Sequence, residues 1–361
     1  MNFAFRVDAS PDIGLGHLGR CFTLAEKIKK EGHDVLFICR NIPTNSIKML
    51  EASGCKVIIL SGCENKKSLD NLYHSSWLGV TQEQDAEECI KELHFMGIKY
   101  DWLIIDHYSL DIRWEQRLSP FTKKICVIDD LADREHQCDL LIDQNFYNNP
   151  SARYSNLVPK GCSQLLGPEY ALLRDQFRDQ KKNVNYRDGR VKRIVIFFGG
   201  SDVDNFTGKA VAALGELQLR DVDVNVIIGD LHPEKEGIQE QCEALNYLLH
   251  VQTDCIESFF SEADLCIGGG GVTTWERCCL GLPTLIVSIA MNQIEIAKDL
   301  EMHEGCIYLG DSSVISKEKI KKRVKELIED PSRICKISKK AFSLVDGLGA
   351  KRVLSILSER I

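Results

Sequence analysis

The sequence lacks the features that mark several classes of protein. No apolar run approaches the ~18 residues that a helix needs to cross a bilayer, and the first ten residues include Arg6 and Asp8, unlike the apolar core of a signal peptide. Positive charge is in deficit, with 45 Lys and Arg against 53 Asp and Glu, whereas affinity for nucleic acid comes mainly from Lys and Arg. We therefore expect a cytoplasmic protein that binds neither a membrane nor a nucleic acid.

Disulfide and metal-binding motifs are also missing, although the 361 residues include 15 cysteines. Their number is odd, no Cys-x-x-Cys pair occurs, and Cys39, Cys126 and Cys266 lie within apolar runs, where a thiol behaves as a small hydrophobe. Asp129 and Asp130 fit no metal-ligand spacing and are interpreted as turn and helix caps. We expect reduced, mostly structural thiols, and neither a metal nor another cofactor.

The length favours two domains, at about 150 residues per domain. Short apolar runs alternate with helical stretches in both halves, which is typical of parallel sheets with crossover helices. The expected fold class is therefore α/β, with two doubly wound, Rossmann-like domains facing a cleft: an N-terminal domain over 1–176, a polar linker over 177–193 and a C-terminal domain over 194–361. The runs that predict strands are 3–7, 35–39, 57–60, 103–105, 125–128, 140–142, 194–198, 224–228, 248–251, 265–267, 284–287 and 306–309.

A glycine-rich turn follows the first predicted strand. Gly14, Gly16 and Gly19 match G-x-G-x-x-G, but Arg40 follows the second strand in place of the acidic residue that a dinucleotide site needs, so a dinucleotide site is disfavoured. His17 begins a helix on this turn. Because the positive end of a helix disfavours imidazolium, this ring is expected to be neutral and able to accept a proton. A capping or packing histidine is the alternative interpretation.

Polar residues follow two later strands of the same half. Asp106, His107 and Tyr108 come after the fourth strand, and Asp143 and Asn145 come at the end of the sixth. The carboxyl ends of parallel strands meet at one edge of a sheet, where doubly wound folds bind ligands. The first three residues could form a proton relay or polarise a water molecule. Ordinary loop residues are an equal alternative.

Three loops of the second half are candidates for ligand contact. Residues 199–202 place glycines before a helix, where N–H groups can approach a phosphate, although no P-loop sequence follows. Residues 268–271 are four glycines, whose entropic cost favours close contact between the backbone and a ligand. Glu276, one turn into the next helix, can accept hydrogen bonds from two ribose hydroxyls. Asn292 and Gln293 begin another helix at the same edge.

Several segments, taken together, carry a family resemblance. They are RVDASPDIGLGHLGRC, IIDHYSLD, VIDDLADREHQCDLLIDQN, LGPEYALLR, FFGGSD, GGGGVTTWERCCLGLP and DGLGAKRV. In this order they resemble the UDP-sugar hydrolases of pseudaminic acid biosynthesis, which cleave UDP-2,4-diacetamido-2,4,6-trideoxy-β-L-altropyranose to UDP and the free sugar. The resemblance implies the GT-B glycosyltransferase fold, a UDP-binding C-terminal domain, and a small-molecule UDP-sugar as the partner of a monomeric enzyme without cofactor.

The resemblance also implies roles for individual residues. His17 corresponds to the family's general base and Tyr108 to its site tyrosine, while Asp8 is expected to help Tyr108 orient the water or the sugar. The remaining expected substrate contacts are Gly14, Gly16, Arg20, Asn145, Gly200, Ser201, Gly270, Gly271, Thr273, Glu276, Asn292 and Gln293.

The leaving group indicates the mechanism that these residues would serve. Because UDP departs as a stabilised diphosphate, it needs no protein acid, whereas water needs a base. His17 would activate water against the anomeric carbon, giving inversion and C–O cleavage. The main alternative is a GT-B glycosyltransferase that passes the sugar to an acceptor hydroxyl, and a non-catalytic nucleotide-sugar-binding protein is another. The first 140 residues lack an evident basic amphipathic helix for membrane docking, which favours the hydrolase.

Overall fold

The computed structural model describes residues 1–62, 70–200, 202–230 and 232–360, and its chain divides into two compact units. Unit 1 comprises Met1–Asn145, Asn149–Leu172 and Leu348–Ile361, and unit 2 comprises Phe146–Asn148 and Leu173–Gly347. Each unit contains one parallel sheet with helices, so the α/β prediction is confirmed.

The elements are numbered along the chain. The strands are β1 (Asn2–Val7), β2 (Asp34–Cys39), β3 (Lys56–Ile59), β4 (Tyr100–Asp106), β5 (Thr122–Ile128), β6 (Leu140–Asp143), β7 (Ser163–Leu166), β8 (Arg193–Phe197), β9 (Asp223–Ile228), β10 (Leu248–Val251), β11 (Leu265–Gly269), β12 (Thr284–Ser288) and β13 (Ile307–Asp311). The helices are α1 (Gly16–Lys30), α2 (Thr44–Ala52), α3 (Gln82–Met96), α4 (Ile112–Leu118), α5 (Pro150–Arg153), α6 (Asp175–Lys181), α7 (Phe206–Leu217), α8 (Lys235–Leu245), α9 (Ile256–Glu262), α10 (Thr273–Cys279), α11 (Asn292–Met302), α12 (Lys317–Ile328), α13 (Pro331–Leu344) and α14 (Gly349–Glu359).

The sheet of unit 1 is covered by helices on both faces. Its order is β3-β2-β1-β4-β5-β6-β7. Phe3 and Phe5 of β1 join an apolar cluster with α1 and α14, whereas Ala4 points the other way and joins a cluster with α3 and α4. Side chains alternate across a strand, so a strand buried on both faces reads as a continuous apolar run. The six predicted strands of the first half are all present, and burial on both faces explains the apolar runs of all but the partly exposed edge strand β3.

The sheet of unit 2 has the same winding. Its order is β10-β9-β8-β11-β12-β13, which starts at β8 and runs outward before crossing to β11. Ile194 and Ile196 of β8 face a cluster with α7, α8 and α12, while Phe197 packs edge-on against Phe260 of α9 at 6.1 Å. In both units the first six strands follow the order 3-2-1-4-5-6 of Rossmann folds.

The last helix departs from the predicted domain boundaries. The sequence assigned residues 194–361 to one C-terminal domain, but α14 belongs to unit 1. Its Val353 and Leu357 are fully buried in the cluster around α1, and the indole Nε1 of Trp102 donates to the carbonyl of Leu357 at 2.9 Å. An amphipathic helix packs wherever its apolar stripe finds a matching surface, and position along the chain does not reveal that surface.

Residues 177–193 are also not a free linker, because they belong to unit 2. Phe177 is fully buried. The guanidinium of Arg187 is buried as well, and it holds this segment against unit 2 by donating hydrogen bonds to carbonyl groups at the ends of α9 and α10. Its acceptors are the carbonyl oxygens of Phe260, Ser261, Ala263 and Leu280. Burial lowers the pKa of Arg187 to about 10.

Helix length and composition also bear on membranes. Across the described ranges, no helix is both long and apolar enough to cross a lipid bilayer.

Candidate functional site

The carboxyl ends of four strands bring polar side chains together in unit 1. Strands β1 and β4 are neighbours, and the chain leaves them toward opposite faces, which makes this the switch point where doubly wound folds bind ligands. His17 follows β1, Asp106 ends β4 and Tyr108 follows it, and Asp130 and Asn145 follow β5 and β6. The structure therefore brings the predicted residues to one edge. Asp130, which was interpreted as a cap, joins them instead, because its carboxylate accepts from Arg20, Tyr108 and Asn145.

His17 is held by a buried carboxylate. Its Nδ1 lies 2.6 Å from Oδ1 of Asp106. Arg20, one helical turn further along α1, donates to the same carboxylate from Nε at 2.6 Å and from Nη2 at 2.7 Å. The guanidinium of Arg20 and the ring of His17 hold the pKa of Asp106 well below its usual range, against the opposing effect of burial. Asp106 is therefore an anion beside the imidazole.

This arrangement selects one tautomer of His17. Because the ionised Asp106 can only accept, Nδ1 must carry the proton that bonds to it, which leaves Nε2 as the basic nitrogen. Within the described part of the chain, Nε2 has no hydrogen-bond partner. Nη2 of Arg20 lies 3.3 Å from the same nitrogen, Nδ1. The site therefore contains an imidazole that a carboxylate orients through one ring nitrogen, which is an arrangement that general bases use.

Arg20 and Asn145 support the site from behind. We expected both to contact substrate, but both are buried and bonded to carboxylates. Arg20 bridges Asp106 and Asp130, with Nη1 donating to Asp130 at 2.9 Å. The amide of Asn145 donates to Asp130 at 2.6 Å and to Asp143 at 2.8 Å. These bonds fix the ends of β4, β5 and β6 relative to one another.

Tyr108 lies beside His17, but its hydroxyl points to another carboxylate. The hydroxyl donates to Oδ2 of Asp130 at 2.5 Å, and burial together with this carboxylate raises the pKa of Tyr108 well above its usual value. Its ring meets the imidazole edge-on, with centroids 4.5 Å apart. Tyr108 therefore packs an uncharged aromatic ring against His17, while its hydroxyl bonds to Asp130.

Asp8 does not have the expected role. It is buried, and it accepts from Arg6 Nη1 at 2.6 Å and from the backbone N–H of Arg40 at 2.7 Å. Nε2 of His107 lies 3.2 Å from its other oxygen. Both oxygens are thus taken up by protein groups, and Asp106 is the carboxylate that contacts His17. Arg40, which stands where a dinucleotide site would have an acidic residue, pairs with Asp85 at 2.9 Å beneath the same edge.

Two aromatic residues of the site escaped the sequence analysis. A short 3₁₀ turn, Ser75–Trp77, places the partly exposed Trp77 ring 5.5 Å from Tyr108 in a stacked geometry, and 6.2 Å from His17. The ring of His74 lies 4.2 Å from Trp77, and burial lowers the pKa of His74 to about 4. No periodicity or motif marked this segment, which has few apolar residues of its own.

Several carboxylates share this edge, and each of them is bonded to protein groups. Asp143 accepts from Tyr154 at 3.0 Å, and burial and the nearby Asp130 raise the pKa of Asp143 to about 7. Asp129 is paired with Arg134 at 2.8 Å and accepts the backbone N–H of Ala132, which matches the capping role expected from the sequence. In the part of the chain that the structure describes, no three His, Cys, Asp or Glu side chains are grouped to hold a metal.

The glycines near His17 shape its loop. Gly14 has a φ of +80°, which favours glycine, and its N–H donates to the carbonyl of Ser10 at 2.7 Å, closing a tight turn. Gly16 is exposed and begins α1 without a side-chain cap. The turn thus delivers the chain to a helix start whose second residue is His17.

The four glycines of unit 2 differ in what they do. A Cβ on Gly268 would lie 2.3 Å from the carbonyl of Phe197, so this glycine is required by strand packing. At Gly270 a Cβ would be 3.2 Å from the side chain of Gln293, which is a tight fit. At Gly271 a Cβ would meet nothing nearer than 3.8 Å, and this residue is partly exposed. Of the four, Gly271 has the most room for a ligand.

The helix after β8 is not an open phosphate site. Asp202 accepts the N–H groups of Phe206 and Thr207 at 3.0 and 2.7 Å, and Asn205 accepts that of Gly208 at 2.8 Å. The first N–H groups of α7 are thus satisfied by side chains, which corrects the expectation that they would receive a phosphate. Gly200 is exposed at this edge, whereas Ser201, also expected to bind substrate, lies outside the described residues.

The other expected contacts of unit 2 lie along the same sheet edge. Thr273 and Asn292 are the first residues of α10 and α11, and both are partly exposed. Gln293 accepts the N–H of Ile289 at 2.9 Å through its side chain. Glu276 is partly exposed on α10, and burial raises its pKa to about 7. These residues line one edge, as the sequence predicts, but their ligand contacts stay predictions.

The winding of both sheets defines a class of fold, and known proteins share it. The structure is similar to that of MurG from Acinetobacter baumannii, with a TM-score of 0.67 at 12% identity over 99% of each chain. It is also similar to UGT2 from Phytolacca americana, with a TM-score of 0.68 at 11% identity over 99% of each chain. The chain therefore has the GT-B fold of glycosyltransferases.

Sequence comparison gives nearer relatives. The model of the glycosyltransferase family 28 C-terminal domain matches residues 194–353. The spore coat polysaccharide biosynthesis protein SpsG of Bacillus subtilis is 25% identical over 99% of this chain and 98% of its own. The UDP-2,4-diacetamido-2,4,6-trideoxy-beta-L-altropyranose hydrolase of Campylobacter jejuni is 28% identical over 73% of this chain and 83% of its own.

Proposed function

We propose that this chain is an enzyme that hydrolyses a UDP-linked diacetamido sugar, with His17 as the general base. The observation that carries the proposal is the pair formed by Asp106 and His17, in which Nδ1 donates to the carboxylate at 2.6 Å and Nε2 is the basic nitrogen. The similarity to the Campylobacter hydrolase supports UDP-2,4-diacetamido-2,4,6-trideoxy-β-L-altropyranose as the substrate.

The reaction needs one proton acceptor on the water side. Nε2 of His17 takes a proton from water as the water oxygen bonds to the anomeric carbon. The bond between that carbon and the diphosphate oxygen breaks, and its electron pair leaves with UDP, so the anomeric centre is inverted. The imidazolium that forms is stabilised by Asp106, and its proton is released to solvent before the next turnover. A general base of this kind contributes about 10²–10⁴-fold in rate.

Unit 2 would bind the UDP part of the substrate. The match to the glycosyltransferase family 28 C-terminal domain supports this assignment. Gly271 leaves room for a phosphate to approach the backbone, and Glu276 would accept hydrogen bonds from the ribose hydroxyls. Thr273, Asn292 and Gln293 lie along the same edge and would complete the contacts.

The ring of Trp77 would bind the sugar, with the buried ring of Tyr108 packed against it. The two rings are stacked next to His17, and Trp77 is the one that is partly exposed beside the proposed base. A deoxygenated sugar with acetamido groups has an apolar face that suits an aromatic surface. Trp77→Ala is therefore expected to raise KM more than it lowers kcat.

A glycosyltransferase is the second candidate. It is favoured by the same family 28 match and by the similarity to SpsG, whose name refers to polysaccharide biosynthesis. In that case Nε2 of His17 would take the proton from an acceptor hydroxyl in place of water. The same site geometry would serve both reactions, so the acceptor must be tested directly.

Turnover without an acceptor separates the candidates. The purified chain should convert the UDP-sugar fully to UDP and free sugar, detected by NMR and mass spectrometry, and ¹⁸O from labelled water should enter the sugar. His17→Leu should lower kcat by at least about 10² while UDP affinity changes within a few-fold. His94→Leu, an exposed histidine of α3, is the matched control and should retain full turnover.

Other results would refute the proposal. Release of UDP that requires an added acceptor would establish the transferase, and tight binding without product would establish a binding protein. Label appearing in UDP would exclude C–O cleavage. Unchanged turnover of His17→Leu would remove His17 from the mechanism.

A further inference from the structure

Two thiols of unit 1 lie in contact away from the candidate site. Cys138 comes just before β6 and Cys162 just before β7, which is the neighbouring strand. Their Sγ atoms are 3.5 Å apart. The backbone beside them is fixed, because the N–H of Ser163 donates to the carbonyl of Asp139 at 3.0 Å where the two strands begin. The two sulfurs are therefore held next to each other by a paired backbone at the end of the strands opposite the site.

We propose that Cys138 and Cys162 are a redox-modifiable dithiol, which a peroxide oxidises to a disulfide bond. A contact between two sulfurs at the start of neighbouring strands is a geometry from which a disulfide can form. The sulfurs need to approach by roughly 1.5 Å to reach bonding distance. The thiols are free in this structure, so the proposal concerns a reversible modification, not a permanent crosslink.

The two thiols have unequal surroundings, which assigns their roles. Cys162 is partly exposed, whereas Cys138 is buried. The hydrogen bond between them lowers the pKa of Cys162 and raises that of Cys138, and burial raises the pKa of Cys138 further. Because the thiolate is the reactive form, Cys162 is the nucleophile that meets the oxidant and Cys138 is the resolving thiol.

Peroxide oxidises the two thiols in two steps. The Cys162 thiolate attacks one peroxide oxygen, the O–O bond breaks, and the hydroxide that leaves takes up a proton to become water. The sulfur of Cys138 then loses its proton and attacks the resulting sulfenic sulfur, and the S–O bond breaks with release of a second water. The two thiols together lose two electrons and two protons, and one peroxide is reduced to two waters.

The bond would close a segment that carries part of the candidate site. Asp143 and Asn145 lie between the two cysteines in sequence, along β6 and the loop after it. Crosslinking the ends of this segment restricts the unfolded chain more than the folded one. Oxidation should therefore raise the melting temperature of unit 1, by roughly 5–10 °C.

Peptide mapping of the oxidised protein tests the proposal. The full chain is treated with hydrogen peroxide and alkylated, and its peptides are analysed by mass spectrometry without reduction. A peptide pair linked through Cys138 and Cys162, with the mass of two hydrogens lost and reversed by dithiothreitol, is the expected result. Cys138→Ser should abolish the link and leave a sulfenic acid on Cys162 that dimedone traps.

The control variant is Cys255→Ser, which removes an exposed thiol of unit 2 and should leave the link unchanged. The proposal is wrong if Cys162 pairs instead with Cys126 of β5. It is also wrong if Cys255 and Cys335 are oxidised while Cys138 and Cys162 remain thiols. These results come from the wild-type protein, so they do not depend on the folding of a variant.

Discussion

Replacing Asp106 by Asn tests the tautomer argument directly. Oδ1 of Asp106 accepts from both His17 and Arg20, and Oδ2 accepts from Nε of Arg20 at 2.6 Å. An amide has one accepting oxygen and one donating nitrogen. If the oxygen stays on Nε of Arg20, the amide nitrogen faces Nδ1 of His17. Because the amide nitrogen donates, Nδ1 of His17 must then accept, and the ring proton moves to Nε2. His17 therefore has no free basic nitrogen to accept a proton from water.

The expected magnitudes follow from these contacts. The wrong tautomer should lower kcat by about 10²–10⁴-fold, because the general base is removed while the ring stays in place. Stability should fall by about 3 kcal/mol, since a buried charged partner of Arg20 is replaced by a neutral one. The loss is limited because Asp130 still pairs with Arg20 at 2.8 Å.

Two measurements separate this mechanism from simple destabilisation. Kinetics of UDP release give kcat, and ¹⁵N NMR of the imidazole reports which nitrogen of His17 is protonated. Asp129→Asn is the matched control, because Asp129 is equally buried and pairs with Arg134, and it has no hydrogen bond to His17. It should lose a similar amount of stability with far less change in kcat. Retention of the Nδ1–H tautomer in Asp106→Asn, or equal losses of kcat in both variants, would refute the reasoning.

Three further predictions concern unit 2, each measured by urea denaturation. Gly268→Ala places a Cβ against a carbonyl and should cost about 1–3 kcal/mol, whereas Gly271→Ala should leave stability unchanged and weaken UDP binding measured by calorimetry; equal stability losses would contradict the packing argument. Arg187→Met should lower the free energy of unfolding by about 3 kcal/mol, whereas Arg190→Met, at an exposed position, should change it by no more than about 0.5 kcal/mol. Similar losses in the two variants would contradict a structural role for Arg187. The pKa of Glu276 is raised from 4.5 to about 7, so its protonated form favours the folded state. The free energy of unfolding should therefore fall as pH rises between these two values, by at most about 3 kcal/mol. If Glu276→Gln shows the same pH dependence, the dependence does not come from Glu276.

Most strands were predictable because they are buried on both faces and therefore appear as continuous apolar runs. The partly buried edge strands β3 and β10 carry such runs as well, and all twelve of the predicted runs coincide with strands of the structure. The strand β7 was not predicted, because its four residues begin with Ser163 and Gln164 and carry no apolar run of that length. The destination of α14 was missed for a different reason, since an apolar stripe does not specify which surface will cover it.

The candidate site was predictable as a location but not as a set of contacts. Strand ends meet at one edge, so His17 and Tyr108 were placed together by topology alone. The partner of His17 was not, because Asp8 follows β1 and Asp106 ends β4 at the same edge, and only the folded structure shows which carboxylate faces the ring. Trp77 lies on a short turn without a repeating pattern, so nothing in the sequence pointed to it.

The path of the chain imposes an order on its biosynthesis. Unit 2 is an insertion in unit 1, since residues 173–347 are translated between the body of unit 1 and its final helix. When nearly all of unit 1 has been synthesised, the surface that α14 covers is therefore still exposed. The indole of Trp102 lacks its acceptor at that stage, because Leu357 lies more than two hundred residues further along the chain. The part that is synthesised first is thus the last to be completed.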